Sequence, residues 1–453
     1  MKLLQLTPGT GDFHCGACLR DETLMRALRT RGVQTLMVPL YLPLVVDGYE
    51  PMTSQPILFG GINVYLEQKS ALFRHLPRWM DRWLSTRWLL GAATRFAGMT
   101  GAKDLGDLTV SMLHGEQGRQ AKEIERLIDW VERHFHPDVI VLSNVMLIGI
   151  AKRLKQALGC PVVCTLQGED GFLDALPQQE GRIAWRTLAE RAKDVDAFIA
   201  VSRYYGRVMR ERLGLDEACV RPVYNGIVLD GYTHAQTPPA CPVIGFLARL
   251  CQAKGLDTLA RAFVILKKRG RLPQAKLRIA GACNRSDQLY VEVVRGILKA
   301  GGVLEHVSFH PNLSLGEKQR FLQELSVLSV PATYGESFGL YVIEALACGV
   351  PVVQPRHAAF PELIEATGGG ILCEPDDPAS LAEALETMLL DEPRRRKIGR
   401  CGRANVERFF SADAMARGVL EVIEGVSSFA KTGHATPTRS VAIERSVAQR
   451  AST

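Results

Sequence analysis

Four charged side chains in the second half of the chain have the types and spacing to act on a phosphorylated ligand. Glu336 and Glu344 stand eight positions apart in "YGESFGLYVIEALACGVPVV", residues 334–353. Glu336 falls on a small-residue loop, where Gly335 and Gly339 let backbone amides approach a ligand closely. Glu344 falls in the second turn of a helix starting near Phe338, on the apolar run "GLYVIEALA". An ionised carboxylate there needs a partner: a ribose diol is one, a lysine or arginine another. Upstream, "GFLARLCQAKGLDTL" places Arg249 and Lys254 at one strand-to-helix turn. Arg can grip a diphosphate with two parallel N–H bonds, and Lys adds a point charge. The plainer reading, an internally paired Glu344 and an exposed loop acid at Glu336, also stays open.

Such side chains must be positioned by regular elements, and these are legible as short apolar strands alternating with amphipathic helices, the mark of parallel sheets covered on both faces. Strand 3–7 leads through a loop with Gly9, Gly11 and Gly16 to a helix over 21–32 and a strand over 35–40. Further strands are expected at 138–143, 161–166, 197–202 and 219–224. The polar, proline-rich stretch 233–242 breaks the pattern and marks an interdomain linker. Strands at 243–248, 275–281, 306–310, 325–331, 351–355 and 369–373 then alternate with helices, including 255–269, 287–300 and 315–324. The fold class is α/β: two doubly wound domains facing across a cleft, residues 1–235 with an insertion at 60–118, and residues 236–425 with closing helices. Residues 426–453, rich in Ser, Thr and Ala, form an expected disordered tail.

Length and composition agree with two cores. The chain has 453 residues, 47% hydrophobic and 23% charged, which excludes disordered and fibrous classes. Its net charge of +7 is too diffuse to argue for nucleic acid, and no compact basic block with interleaved aromatics suggests it. No run of eighteen apolar residues occurs, and Pro8 and Gly9 interrupt the start before a signal core forms, so a cytoplasmic protein is expected. Eleven cysteines, among them Cys164, Cys348 and Cys401, scatter as buried reduced thiols would. The pair Cys15 and Cys18 has redox or metal spacing, but no second such pair exists to complete a zinc site.

The stretch from Arg249 through Lys254 to "YGESFGLYVIEALACGVPVV" and "FPELIEATGGGIL" resembles the C-terminal domain of the retaining glycosyltransferases of family 4, which have the GT-B fold. "VYNGIVLDGY" (223–232) and "AFIAVSRYYGRVMRERLG" are similar to that family's interdomain segment and last N-terminal strand and helix. The resemblance implies a nucleoside diphosphate sugar donor, a carbohydrate or lipid-linked acceptor, and no obligatory metal or other cofactor. It implies that Glu336 meets donor-sugar hydroxyls and Glu344 the nucleotide ribose. Arg249 and Lys254 would hold the diphosphate, with loop amides around Ser337, Phe338, Gly339 and Leu340. On the acceptor side, Gly16 is the best match for the family's glycine loop, with His14 or Asp12 nearby. Gln167 stands where members often carry a histidine, followed by Glu169.

Two questions remain open at this level. Residues 72–96 hold three of the five tryptophans and five arginines against Asp81 alone. A basic amphipathic helix of this kind fits either peripheral contact with an anionic inner membrane face or packing over the acceptor loop with its arginines in water. The same architecture also serves nucleotide-sugar epimerases, and a non-catalytic sugar- or lipid-binding scaffold is the reading from another class.

Overall fold

A computed structural model of the chain describes residues 1–9, 16–40, 102–234 and 239–432. Asp12, His14, the segment 72–96 and the residues from 433 onward lie outside the described residues.

The first sheet contains strands β1 Lys2–Thr7, β2 Gln34–Pro39, β3 Val139–Leu142, β4 Val162–Leu166, β5 Ala197–Ala200 and β6 Val220–Pro222. Their order is β2-β1-β3-β4-β5-β6, all parallel, with Leu4 of β1 opposite Leu36 on one side and Ile140 on the other. Because strand side chains alternate faces, Leu4, Leu6, Ile140, Leu142, Val162 and Cys164 enter one core, while Leu3, Val139, Val141, Val163 and Ile199 enter a second on the opposite face. Helix Gly16–Thr30 covers that second face through Leu24, Met25 and Leu28.

The second sheet contains β7 Val243–Leu247, β8 Lys276–Gly281, β9 Val307–Pro311, β10 Val327–Leu328, β11 Val352–Pro355 and β12 Gly370–Cys373. Its order is β12-β11-β10-β7-β8-β9, again all parallel. The strand order reverses between β7 and β10, and it is at such a reversal, beyond the carboxyl ends of the strands, that open parallel sheets bind ligands. Arg249 and Lys254 follow β7, and Glu336 follows β10.

The chain crosses between domains twice at nearly one point. After β6 it passes outward through Asn225 and Gly226, and it returns beside the same segment: Ile227 N–H donates to the Phe410 carbonyl at 3.0 Å, and Ala412 N–H donates to Ile227 at 2.9 Å. The returning helix Ala412–Thr432 places Met415, Ala416, Val419 and Ile423 in the second core of the first domain.

This corrects several expectations. The last closing helix packs on the N-terminal domain rather than the C-terminal one, and its helical period continues through 426–432, where a disordered tail was expected. Helix Gly16–Thr30 starts five residues early, because Cys18 is apolar enough to be buried in the core. The strand expected over 325–331 shrinks to Val327–Leu328. The part of the 60–118 insertion that is described is no appendage: helix Ala102–Leu113 packs against helix Gln178–Arg191 and buries Leu113. Burial pushes the Cys160 thiol up to about 11 and the Cys348 and Cys373 thiols up to about 12, keeping them protonated at neutral pH. Cys401, in contrast, is exposed.

Candidate active site

Lys254 and Glu336 come together where the β7 and β10 loops meet. The Lys254 ammonium donates to Glu336 Oε2 at 2.6 Å and to the Tyr334 hydroxyl at 2.5 Å, and lies 4.7 Å from the centre of the Tyr334 ring. The Tyr341 hydroxyl donates to the same Glu336 oxygen at 2.8 Å. Thr333 N–H donates to the Ala253 carbonyl at 3.1 Å and ties the two loops together. Arg249 is aimed by Asp287, whose two carboxylate oxygens receive its Nε and Nη2 at 3.2 and 3.0 Å. Burial pushes the Asp287 carboxyl up, but the Arg249 guanidinium and the Asn284 amide outweigh it and hold it below the usual range. Half of the Arg249 side chain stays exposed, with Nη1 turned to no described carboxylate.

Glu344 finds the alternative that sequence left open: a lysine. Lys318 Nζ lies 2.6 Å from Glu344 Oε1, and the Tyr232 hydroxyl donates to that same oxygen at 3.0 Å. Both contacts use Oε1, so Oε2 has no protein donor among the described residues. A ribose diol and the lysine are therefore compatible partners for one carboxylate.

The loop residues divide into two groups. Gly339 takes φ +92°, a left-handed conformation, and starts helix Leu340–Ala347. Its position lets the amides of the first turn face the crevice. Gly335 approaches the N-terminal domain so closely that a Cβ there would lie 2.6 Å from the Tyr204 hydroxyl oxygen. The side chains of Ser337 and Phe338 pack at the domain boundary. The Ser337 hydroxyl donates to the Gln167 carbonyl at 2.9 Å, and its carbonyl accepts from Ser202 Oγ at 2.6 Å. The Phe338 ring is buried beside Tyr224 and Phe410.

On the opposite wall, Gln167 follows β4 and faces Ser337 across the domain boundary, with its Nε2 donating to the Ser143 carbonyl at 2.5 Å. Glu169 is buried, with its carboxylate turned into its own loop. Its Oε2 accepts from the Gln167 and Gly168 amides, both at 2.9 Å, and from the Tyr205 hydroxyl at 3.0 Å; its Oε1 accepts from Val145 N–H at 3.2 Å. Burial raises this carboxyl while those amides lower it, and the net is upward. Glu169 thus shapes the loop that Gln167 presents. Gly16 opens the first helix at the carboxyl end of β1.

Residues that sequence reasoning missed are those that hold the obvious ones: Asp287, Lys318, Tyr232, Tyr334, Tyr341 and Glu362. Glu362 accepts Tyr204 N–H at 3.2 Å and Arg203 N–H at 3.1 Å, capping helix Arg203–Leu213 from the other domain. Only Asp287 had a local signal, as the closing acid of the capping box that begins at Asn284. Among the described residues no group of three or more His, Cys, Asp and Glu stands ready to hold a metal, and no helix is long and apolar enough to cross a membrane.

Residues 235–405 match the family described as Glycosyl transferases group 1, and residues 107–230 match Glycosyltransferase Family 4. A D-inositol 3-phosphate glycosyltransferase of Xylanimonas cellulosilytica is 28% identical over 262 residues, covering 54% of this chain and 60% of the relative. The chain thus spans less than two thirds of that protein's length. A GDP-mannose-dependent monoacylated alpha-(1-6)-phosphatidylinositol monomannoside mannosyltransferase of Corynebacterium glutamicum is 27% identical, covering 61% of this chain and 73% of the relative. Among solved structures, HepE of Anabaena in complex with UDP superposes with a TM-score of 0.66 at 18% identity, covering 94% of this chain and 100% of that one. The likeness establishes the two-domain fold.

Proposed function

The chain belongs to the group 1, family 4 glycosyltransferases with the GT-B fold, and from that premise we propose that it moves a sugar from a nucleoside diphosphate sugar to an acceptor with retention of anomeric configuration. The single observation that supports this reading is the pairing of Lys254, from the loop after β7, with Glu336, from the loop after β10, beside the Arg249 that Asp287 holds on the same β7 loop. Two cations and the start of helix Leu340–Ala347 favour the negative charge that develops on a diphosphate as its bond to the sugar breaks. Neutralisation by these groups leaves no obligatory role for a metal in the proposal. Glu336 would meet the sugar hydroxyls and Glu344, a turn deeper, the ribose. Closure of the two domains, which already touch at Ser337 and Gln167, would exclude the water that otherwise competes as acceptor.

The relatives' names support an acceptor bearing an inositol phosphate, free or lipid-linked. Peripheral contact with the inner membrane face through residues 72–96, in a cytoplasmic protein, belongs to the same proposal. The test measures nucleoside diphosphate released from UDP-glucose, GDP-mannose and ADP-glucose, with and without D-inositol 3-phosphate, and again in EDTA. Release from one donor, stimulated by acceptor and persisting in EDTA, is expected. A chain that releases none from any of the three, while correctly folded, contradicts the proposal.

A further inference from the structure

Glu336 is held through one oxygen only. Oε2 receives both Lys254 Nζ and the Tyr341 hydroxyl. Oε1 receives neither of these two donors, and the Tyr334 phenol also stands against the carboxylate. The two donors differ in freedom. Lys254 stands in a turn, and its flexible stem lets the ammonium swing toward an incoming diphosphate. Tyr341 sits in the first turn of helix Leu340–Ala347, its ring 6.4 Å from that of Phe360 and nearly enclosed. Burial and then the Glu336 charge hold its phenol well above the ordinary range, so it stays protonated and donates.

A lysine that both neutralises Glu336 and grips a diphosphate cannot do both fully at once. When it turns to the ligand, a largely buried carboxylate loses its countercharge and one of its anchors on Oε2, which is costly unless the other remains. We propose that Tyr341 is a positioning residue of the donor-sugar subsite, keeping Glu336 Oε2 in place while Lys254 moves to the diphosphate, so that Oε1 stays presented to a sugar hydroxyl. This rests on the proposed transferase reading and adds to it a residue that touches neither sugar nor phosphate. It also predicts a pH signature. A hydrogen bond to an ionised carboxylate favours the ionised form, so its loss moves the acid limb of the rate profile to higher pH. The groups facing the carboxylate are Lys254, Tyr334 and Tyr341; Cys251 and Asp170 act on the Tyr334 phenol.

The test compares Tyr341→Phe with the parent chain, using whichever of UDP-glucose, GDP-mannose or ADP-glucose the parent turns over. The expected result is a kcat lowered about tenfold, an acid limb moved upward, and affinity for UDP or GDP alone within about twofold of the parent. A kcat and acid limb equal to the parent's overturn the inference, as does nucleoside diphosphate affinity falling in step with kcat, which marks a merely structural role. Should Tyr341→Phe unfold, site-specific 3-fluorotyrosine at position 341, a more acidic phenol of similar shape, must move the acid limb downward instead; no movement overturns the inference. A parent chain that releases nucleoside diphosphate from none of UDP-glucose, GDP-mannose and ADP-glucose defeats the transferase reading at its own step, and this inference with it.

Discussion

The ammonium of Lys318 stands 2.6 Å from Glu344 Oε1, so the helix carboxylate has its countercharge before any ligand arrives. Both side chains are largely shielded, 23% and 13% exposed, which makes the pair more than a surface contact. Lys318→Ala is expected to weaken UDP or GDP binding about tenfold and to cost about 1–3 kcal/mol of stability, because the Glu344 carboxylate loses its countercharge and the contact that fixes it where it would meet the ribose. Calorimetric titration and thermal unfolding check this, with Lys318→Arg restoring both. Unchanged nucleotide affinity in Lys318→Ala removes Glu344 from the donor site.

Arg249 depends on Asp287 for its direction. Asp287→Asn keeps the side chain's shape and loses the charge, so the guanidinium is less firmly aimed and KM for the donor rises, with a smaller effect on the fold. The pH dependence has a defined sign. The folded Asp287 carboxyl titrates below its ordinary 3.8, so the unfolded chain binds the proton first. The pair's contribution to stability is therefore present above about pH 4 and is lost as pH falls through the depressed value. Unfolding curves from pH 6 to pH 3 are expected to fall less steeply for Asp287→Asn than for the parent; equal slopes contradict the assignment.

Glu362 caps a helix of the other domain, and with Ser202 and Ser337 it forms the hydrogen bonds that span the boundary. Glu362→Ala leaves the Arg203 and Tyr204 amides without this acceptor, at a cost of about 0.5–2 kcal/mol typical of a lost helix cap. Because the cap bridges two bodies, part of the effect is expected as opening: a larger radius of gyration by small-angle scattering, reversed by saturating nucleotide. A stability loss with no change in dimensions would confine Glu362 to a local cap.

Helix Ala412–Thr432 completes the N-terminal core from the far end of the chain. Met415, Val419 and Ile423 are each at most 1% exposed, and burying such side chains contributes about 1.5–3 kcal/mol apiece, roughly 5–9 kcal/mol together. That rivals the whole stability of an ordinary domain. A chain ended at residue 411 is expected to be insoluble or to lose the N-terminal unfolding transition, and Ile423→Asp to do the same more mildly. A soluble truncated chain with an unchanged transition contradicts the packing of this helix on the N-terminal core.

Strand alternation, the β7 and β10 loops and the four charged residues were legible because each is written locally: apolar runs of strand length, a glycine before a helix, a cation beside a turn. The partners that make those residues usable were not. Lys318 lies on the polar side of its own helix, and nothing near it in sequence indicates Glu344; Glu362 looks like an ordinary first-turn acid until the other domain's helix is placed against it. Glu169 shows the converse. Its neighbours "QG" and Asp170 suggest a polar loop open to ligand, but three backbone amides and a phenol compete for its carboxylate and turn it inward. The destination of the last helix was hidden for the same reason, since an amphipathic period states that a face is buried without naming what buries it.

In the proposed reaction Lys254 neutralises the diphosphate that leaves. Lys254→Ala, verified as folded by its unfolding transition, is to be assayed for nucleoside diphosphate release from the donor that the parent chain uses. The expected result is a loss of at least about tenfold in kcat/KM, or about 1.4 kcal/mol of transition-state stabilisation. A folded Lys254→Ala chain that releases nucleoside diphosphate at the parent's rate contradicts the account.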